Sequence, residues 1–531
     1  MTMRTLTCDV LVIGYGAAGA AAAIEAADAG ARVLLVEKMP WPGGLSVVSA
    51  GGARMAFDAD AALAYLRETC GGRTPDDVLQ VLAQGMHDFP AWLRALADDI
   101  GATLVVRKAS GNYPFLGFDA LGYAEVQALP GALGFHDAIP EHVTAVSPAG
   151  ARFFGLLQAH VERRPIAVRT GTRATRLLRD GEGPVRGAML EDASGALTVR
   201  AERGVILACG GFEADLRMQQ AWFEPAQVLN GSFLGNTGDG IRMAQALGAD
   251  LWHMWHFHGP YGFRHPDPAF PFGLYTKSVP MWTPGHAPDD LPVMPWILVD
   301  QLGRRFANEY EPYPGDTGVR HFSHLDGNHG RNTRLPAWMV LDEEGFRLYR
   351  LGRFIAHVTP DAPDAARTFA WSDDNAREVT LGIFRKASSL TSLAALSDIP
   401  EPTLAATLQA WNDACAAGRD EAFCRPPSTM RPIARAPFYL AQVWPLVINT
   451  QGGPVHDANQ RVIDVEGNAI DGLYAAGELG SAFGHLYMAG GNLAECLVGG
   501  RRAARHAASR HAAHGPSVRV FHPVSDPVVP L

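Results

Sequence analysis

The residues best suited to do chemistry lie near the two ends of the sequence. Close to the start, Gly14-Tyr-Gly16-Ala-Ala-Gly19 has the G-x-G-x-x-G spacing, and Glu37 stands eighteen positions beyond Gly19. The spacing alone is weak, because Gly181-Glu-Gly183-Pro-Val-Arg-Gly187 nearly repeats it and reads as a hairpin turn. Context separates the two: the first follows an apolar run, precedes a helix-forming run, and is followed by an acidic residue at the right distance. Each part has a task in holding a dinucleotide. Gly14 permits the sharp turn, Gly16 lets backbone amides approach a pyrophosphate, and Gly19 lets helix pack on strand. The helix start supplies partial positive charge, and Glu37 accepts hydrogen bonds from a ribose.

The elements that must position these groups are legible around them. Cys8-Asp-Val-Leu-Val-Ile13 reads as a buried strand, Ala20 to Ala29 as a helix and Arg32-Val-Leu-Leu-Val36 as a second strand, which together make a βαβ unit. Gly204-Val-Ile-Leu-Ala-Cys-Gly-Gly211 and Gly472-Leu-Tyr-Ala-Ala-Gly477 repeat the pattern of a strand ending in a glycine turn. The expected fold is therefore α/β, a Rossmann-like domain built from both chain ends. Between about 271 and 440 the composition shifts toward Pro, Trp, His and charged helices, which predicts an inserted α+β catalytic domain. The expected division is 1–270 and 441–531 for the dinucleotide domain and 271–440 for the insert.

Further glycines distinguish FAD from NAD. Trp41-Pro-Gly43-Gly44-Leu-Ser46 and Ser49-Ala-Gly51-Gly52 form a second glycine and serine cluster, where a long pyrophosphate and ribityl chain needs amides and hydroxyls. At the other end, Ala475-Ala-Gly477-Glu478 and Ala489-Gly-Gly491-Asn492-Leu493 follow the last strand, so that a helix start faces the electron-rich edge of a flavin. The expected cofactor contacts are Gly14, Gly16, Ala18, Gly19, Glu37, Lys38, Gly43, Gly44, Ser46, Gly51, Gly52, Ala174, Gly210, Asn236, Asp239, Gly477, Glu478, Asn492 and Leu493.

Composition bounds the remaining possibilities. The chain has 531 residues, 47% of them hydrophobic, enough for about two domains with a sizeable core. A formal net charge of -10 without a basic block argues against a nucleic-acid partner. The six cysteines are scattered, with no C-x-x-C, which favours a reducing compartment. No apolar run reaches the ~18 residues of a membrane span, and the apolar strand so close to Met1 leaves no room for a signal peptide. A cytoplasmic enzyme is expected. Trp252-His-Met-Trp-His-Phe-His258, with His265 beyond it, has the histidines of a metal site but lacks acidic or thiol partners; it reads as an aromatic pocket wall, and no metal is expected. Arg304, Arg305, Arg501 and Arg502 read as surface or interface pairs.

Nearly the whole chain resembles the flavoprotein superfamily of soluble fumarate reductases and 3-ketosteroid dehydrogenases. The resemblance rests on Gly14 to Gly19, Gly43 to Gly52, Ala208-Cys-Gly-Gly-Phe-Glu213, Asn236-Thr-Gly-Asp-Gly-Ile241, Gly303-Arg-Arg-Phe-Ala-Asn-Glu309 and Ala476 to Asn492. It implies an FAD domain from both chain ends and a catalytic domain between them. Members that tether FAD through histidine carry it near the second glycine cluster. Residues 43 to 49 hold no His, so a dissociable FAD is expected.

Two windows bear on the reaction. Where the fumarate reductases place a proton-donating arginine and a carboxylate-clamping arginine, this chain reads Asn308-Glu309-Tyr-Glu-Pro-Tyr313 and Tyr487-Met-Ala-Gly-Gly491-Asn492. Both resemble the 3-ketosteroid dehydrogenases. That resemblance implies Tyr313 as the base removing the proton α to a ketone, and the Tyr487 hydroxyl with the Gly491 amide as donors to the ketone oxygen. Tyr113, in Gly111-Asn-Tyr-Pro114, resembles an assisting tyrosine. Met488 and Ala489 replace the proline and glycine typical of the Δ1 enzymes, so a smaller cyclic ketone stays open beside a steroid. The expected activity is α,β-dehydrogenation with hydride transfer to the flavin. Its reversal as an ene-reductase and a substrate-free electron carrier are the alternatives. With no haem or Fe-S pattern in the sequence, the expected electron acceptor is a quinone, another external acceptor or oxygen.

Overall fold

The structure is a computed structural model. It describes residues 4–130, 148–179, 181–225, 227–277, 292–310, 318–353, 355–359 and 362–510, the side chains of 148, 355–359 and 362–368 excepted.

The cofactor half is built on a sheet in which five strands run parallel: Ala469–Ala475, Gly195–Leu207, Arg4–Ile13, Val33–Val36 and Ile166–Arg169. Both faces of this sheet are covered, which is why its strands are unbroken apolar runs instead of alternating ones. Val10, Leu11, Val12 and Ile13 are all buried, as is every residue of Val33–Val36. Ala469–Ala475 joins from the far end of the chain, with Leu473 opposite Val205, Tyr474 opposite Ile206 and Ala475 opposite Leu207. The sheet is thus an α/β structure made from both ends, as the sequence led us to expect.

On one face lie two helices, Ala17–Asp28 and Gly491–Ser509. The first is almost all alanine, and nine of its twelve residues are buried. Alanine and glycine at the contact permit a close approach: a Cβ at Gly500 would press on the Ala18 carbonyl oxygen at 2.5 Å. A three-stranded antiparallel sheet, Gly52–Ala56, Leu121–Ala128 and Thr103–Lys108, packs near this helix pair with the helices Ala59–Cys70 and Asp76–Ile100. No helix among the described residues is long and apolar enough to cross a membrane.

The second large element is a seven-stranded sheet centred on Phe438–Val447, which pairs antiparallel with Ala337–Asp342, Tyr261–Arg264 and Arg385–Ala387 and parallel with Leu229–Asn230. It extends beyond both expected edges of the insert. Tyr261–Arg264 lies before 270, and Phe438–Val447 crosses 440, because pairing follows the apolar strands and not the composition of the loops between them.

Beside this sheet is a buried ion cluster. Arg305 pairs with Glu309 at 2.7 Å and with Asp420 at 2.8 Å, while Arg425 reaches Glu309 at 3.2 Å with both side chains fully buried. Arg425 also donates to the carbonyls of Trp296 at 2.8 Å and Thr429 at 3.0 Å. Removing one partner of such a pair leaves a buried charge short of compensation. Arg425→Met is therefore expected to lower unfolding free energy by about 3–5 kcal/mol, read as a lower urea midpoint. A midpoint unchanged from the parent would show that the cluster carries no stability.

Candidate active site

The carboxyl ends of the parallel strands open on one cleft. Arg4–Ile13 ends at Gly14, whose φ is +105° and where a Cβ would overlap the Ala208 carbonyl; a Cβ at Gly19 would overlap the carbonyl of Gly14 itself. Gly16 is different. A Cβ there would find nothing nearer than Ser46 Oγ at 3.5 Å and would stand in the cleft. The helix Ala17–Asp28 starts at Gly16, which has no side chain to cap it; the Ala17 N–H donates to Ser46 Oγ at 3.1 Å, and the positive end of the helix's peptide dipoles faces the space a pyrophosphate would fill. This is a cradle that fits FAD and that a single methyl group would obstruct.

The first limb of the cleft is lined by Gly14, Gly16, Ala18, Glu37, Lys38, Gly44, Ser46, Ala174, Gly210, Asn236, Asp239 and Glu478, among others. Glu37 is buried, and its carboxylate accepts the N–H groups of Tyr15 and Met39, each at 2.8 Å. Burial raises its pKa against those two bonds. Lys38 Nζ donates to Asp239 at 2.9 Å and to Thr237 Oγ1 at 2.7 Å, and Arg173 pairs with Asp239 at 2.7 Å. Gly19, Gly43 and Gly477 do not line the space. Gly43 sits at φ +117° where a Cβ would overlap Val47, and a Cβ at Gly477 would lie 2.8 Å from that of Ala18. These three let the wall close up behind the lining residues.

A second chamber of about 330 Å³ shares Leu45, Ser46, Glu478 and Cys496 with the first. Gly51, Gly52, Tyr487, Asn492 and Leu493 line it, together with Tyr123, His258, Tyr275 and Asn449. Tyr487 is 4% exposed, low enough that burial sets its ionisation. Its oxygen accepts the backbone N–H of Asn492 at 3.3 Å and Asn449 Nδ2 at 3.4 Å. Its ring lies 4.4 Å from that of His258 and edge-on to Phe483. Burial pushes its pKa up, against the donated bonds, so the phenol stays protonated at neutral pH.

The other expected catalytic residues stand apart. Gly491 N–H donates to the Met488 carbonyl at 2.7 Å and Gly491 does not line the chamber; the amide is used to make the turn that presents Tyr487. Tyr113 packs in the apolar cluster, its N–H donating to Tyr65 Oη at 2.9 Å, and does not line the chamber either. A proline follows it, and the chain turns back onto the helix Ala59–Cys70 before reaching the cavity. Tyr313 lies outside the described residues.

Two histidines of the 252–258 segment hold the 481–483 stretch that leads toward the Tyr487 turn. His253 bridges the Ser481 and Arg73 carbonyls at 2.8 and 3.1 Å, and His256 Nδ1 reaches the Phe483 carbonyl at 2.7 Å. From the other side Arg54 holds the turn, donating from Nε to Ala489 at 2.9 Å and from its backbone N–H to Gly490 at 3.0 Å.

Besides Glu37, three further buried glutamates stand at the cleft, and of these only Glu478 was an expected cofactor contact. Glu478 accepts the Thr450 N–H at 2.8 Å, and Glu213 accepts Asn236 Nδ2 at 2.7 Å. Burial pushes Glu478 up to about 7 and raises Glu213 well above the carboxylate range, the latter helped by the Glu478 charge. Glu495 accepts from Ala482 N–H at 2.6 Å, Ser481 Oγ at 2.8 Å and Asn492 Nδ2 at 2.9 Å, yet burial still takes it to about 8. Asn449 and Gln451 were missed as well. The polar run Asn449-Thr-Gln451 directly after an apolar strand was the available signal.

A family model described as FAD binding domain matches residues 9–493. The chain is 28% identical to a 3-oxosteroid 1-dehydrogenase of Mycobacterium tuberculosis, covering 94% of this chain and 98% of the relative. It is 26% identical to a fumarate reductase (cytochrome) of Shewanella frigidimarina, covering 94% and 77%. Among solved structures, a 3-ketosteroid delta1-dehydrogenase from Sterolibacterium denitrificans in complex with 1,4-androstadiene-3,17-dione has the same fold, with a TM-score of 0.75 at 23% identity over 95% of this chain and 99% of that one.

Two outcomes are expected from this geometry. Gly16→Val should give folded protein that purifies without bound flavin, seen as a loss of visible absorbance with an unchanged far-ultraviolet spectrum; flavin retained at the parent level would exclude the cradle. The second follows from linkage. Acids whose folded pKa lies above the unfolded value near ~4.3 contribute stability below that pH and lose it as pH rises through 7 to 8. The apoprotein should therefore melt at a lower temperature at pH 8.5 than at pH 5.5, and Glu478→Gln should flatten the difference. A slope unaffected by that substitution would show that Glu478 is already ionised in the fold.

Proposed function

The chain belongs to the FAD binding domain family, and on that premise we propose that it is an FAD-dependent oxidoreductase acting on the CH–CH bond beside the carbonyl of a cyclic ketone, a 3-ketosteroid or a smaller ring. The observation that carries this reading is Tyr487, a buried, protonated phenol on the wall of the chamber that adjoins the cofactor cleft. Bound FAD supplies the hydride acceptor. The chain's own residues do the rest. Tyr487 donates its hydroxyl to the ketone oxygen, and the contact strengthens as charge moves onto that oxygen when the α-proton leaves, which is the condition for lowering a barrier.

Tyr313 is the proposed base, by its place after Pro312 in the window that follows Glu309. The ion cluster of Arg305, Arg425 and Glu309 fixes the start of that window. A neutral ring suits the chamber better than a dicarboxylate. Arg107 on the chamber wall is already paired with Glu125 at 2.8 Å, neither 313 nor 488 offers another cation for a buried carboxylate, and moving one from water unpaired costs several kcal/mol. The aromatic rings of Tyr123, His258, Tyr275 and Tyr487 give apolar surface against which a hydrocarbon ring gains about 25 cal/mol per Å² buried. The FAD is proposed to be dissociable, with electrons passing on to a quinone or another external acceptor.

The test is reduction of the bound flavin by added ketone without oxygen. A saturated 3-ketosteroid or smaller cyclic ketone should bleach it and the matching alcohol should not, because the alcohol forms no enolate. Tyr487→Phe should keep its FAD and slow bleaching by about 100-fold or more, the scale of a lost oxyanion donor. Tyr313→Phe should slow it by about 100-fold with ketone binding nearly unchanged. Acid should release all the flavin from the polypeptide. Robust turnover of fumarate, or equal rates with ketone and alcohol, would overturn the reading.

A further inference from the structure

We propose that Asn449 is a positioning residue for Tyr487, one end of a buried chain of amides whose polarity makes the phenol a donor toward the substrate carbonyl. The proposal rests on the reading of Tyr487 given above and adds what sets the direction of its hydrogen bond.

The placement comes from a short strand pairing. Asn449–Thr450 runs antiparallel to Phe257–His258, with Asn449 directly opposite His258, and the His258 ring packs against that of Tyr487. Asn449 is thereby carried to the phenol oxygen, which accepts its Nδ2 at 3.4 Å while the Asn492 backbone N–H arrives at 3.3 Å. Behind Asn449 the chain continues. Its Oδ1 accepts Gln451 Nε2 at 3.1 Å, Gln451 Oε1 accepts Asn492 Nδ2 at 3.1 Å, and the same Asn492 Nδ2 donates to Glu495 at 2.9 Å. All four side chains are buried, Gln451 and Glu495 behind the chamber wall that Asn449 and Asn492 form.

A side-chain amide has a donor end and an acceptor end, and fixing one fixes the other. Glu495 meets Asn492 with an oxygen, which turns the Asn492 NH2 toward it. That orientation propagates through Gln451 and presents the NH2 of Asn449, and not its carbonyl, to Tyr487. A phenol oxygen has two lone pairs, and two N–H groups occupy them, so what Tyr487 brings to a carbonyl is its O–H. The donated bonds also polarise that O–H, which strengthens it as negative charge grows on its partner. Were the chain reversed, Asn449 would offer its own carbonyl to the hydroxyl in competition with the ketone.

Asn449→Asp replaces the NH2 facing the phenol by an oxygen, and Glu495→Gln lets the chain reverse from its far end. In holoenzyme, each is expected to slow anaerobic flavin reduction at saturating ketone by about tenfold, the worth of one hydrogen bond to a charged group, with FAD content and KM little changed. Each should weaken binding of 4-nitrophenolate, an oxyanion that cannot react, by a similar factor in calorimetry. The deciding measurement is the double variant. On a Tyr487→Phe background neither substitution should reduce the rate or the phenolate affinity further, because they act through the missing hydroxyl. Additive losses on that background would assign Asn449 and Glu495 a merely structural role and overturn this inference while leaving the function standing. A Tyr487→Phe enzyme as fast as the parent would instead overturn the function, and this inference with it. If Asn449→Asp does not fold, Glu495→Gln and Asn449→Ser complete the same cycle.

Discussion

Where the first strand ends, the backbone of Gly14 lies against the carbonyl of Ala208, and the first turn of the next helix lies against Gly14 in turn. No side chain fits at either contact. This closeness brings the helix start, the strand ends and the C-terminal helix around one cleft instead of leaving them a side chain's width apart. The alanines from Ala17 to Ala27 and the glycines Gly499 and Gly500 extend the same principle along the helix pair. A cofactor made largely of phosphate, ribose and flat rings is best held by backbone, and backbone is what this packing exposes.

The molecule handles buried charge in two ways. Beside the antiparallel sheet, Glu309 and Asp420 meet guanidinium groups, and the Arg305 charge keeps Glu309 ionised against its burial. Around the cleft, Glu213, Glu478 and Glu495 meet amides, a hydroxyl and backbone N–H groups but no cation within ion-pair distance among the described residues. Burial raises the pKa of all three. The first arrangement is rigid and insensitive to pH, which suits a scaffold. The second makes the buried acids of the cleft sensitive to pH, beside the fixed ion pairs that Lys38 and Arg173 make with Asp239.

The sequence made the cofactor cleft legible because each glycine there answers a steric demand with a recognisable spacing. Gly14, Gly16, Gly44, Gly51 and Gly52 reach its walls, and the pairing of the strand before Gly477 with the strand before Gly210 was readable from two like patterns. Tyr487 was legible only by resemblance, since nothing in the spacing of a single tyrosine announces a cavity. The surroundings of Tyr487 were not legible at all. Asn449, Gln451 and Glu495 come from a two-residue strand, the position just after it and a helix more than forty positions on, and their meaning lies in which end of each amide points where. Gly491 shows the converse: its position in the chain was right for an oxyanion donor, but the local turn claims its N–H for Met488. Strands of the second sheet lie on both sides of the edges read from composition for a similar reason, since pairing is a property of two segments and composition of one.

The seating of Ala469–Ala475 beside Gly195–Leu207 has a consequence for biosynthesis. At ribosomal speeds of roughly 5–20 residues per second, the later strand emerges on the order of tens of seconds after the earlier one. During that interval the nascent chain carries Val205 to Leu207 as an open, apolar sheet edge, the kind of edge that recruits other chains. The cleft has no C-terminal wall until Gly491–Ser509 leaves the exit tunnel, so a complete flavin cleft cannot form before that helix is made.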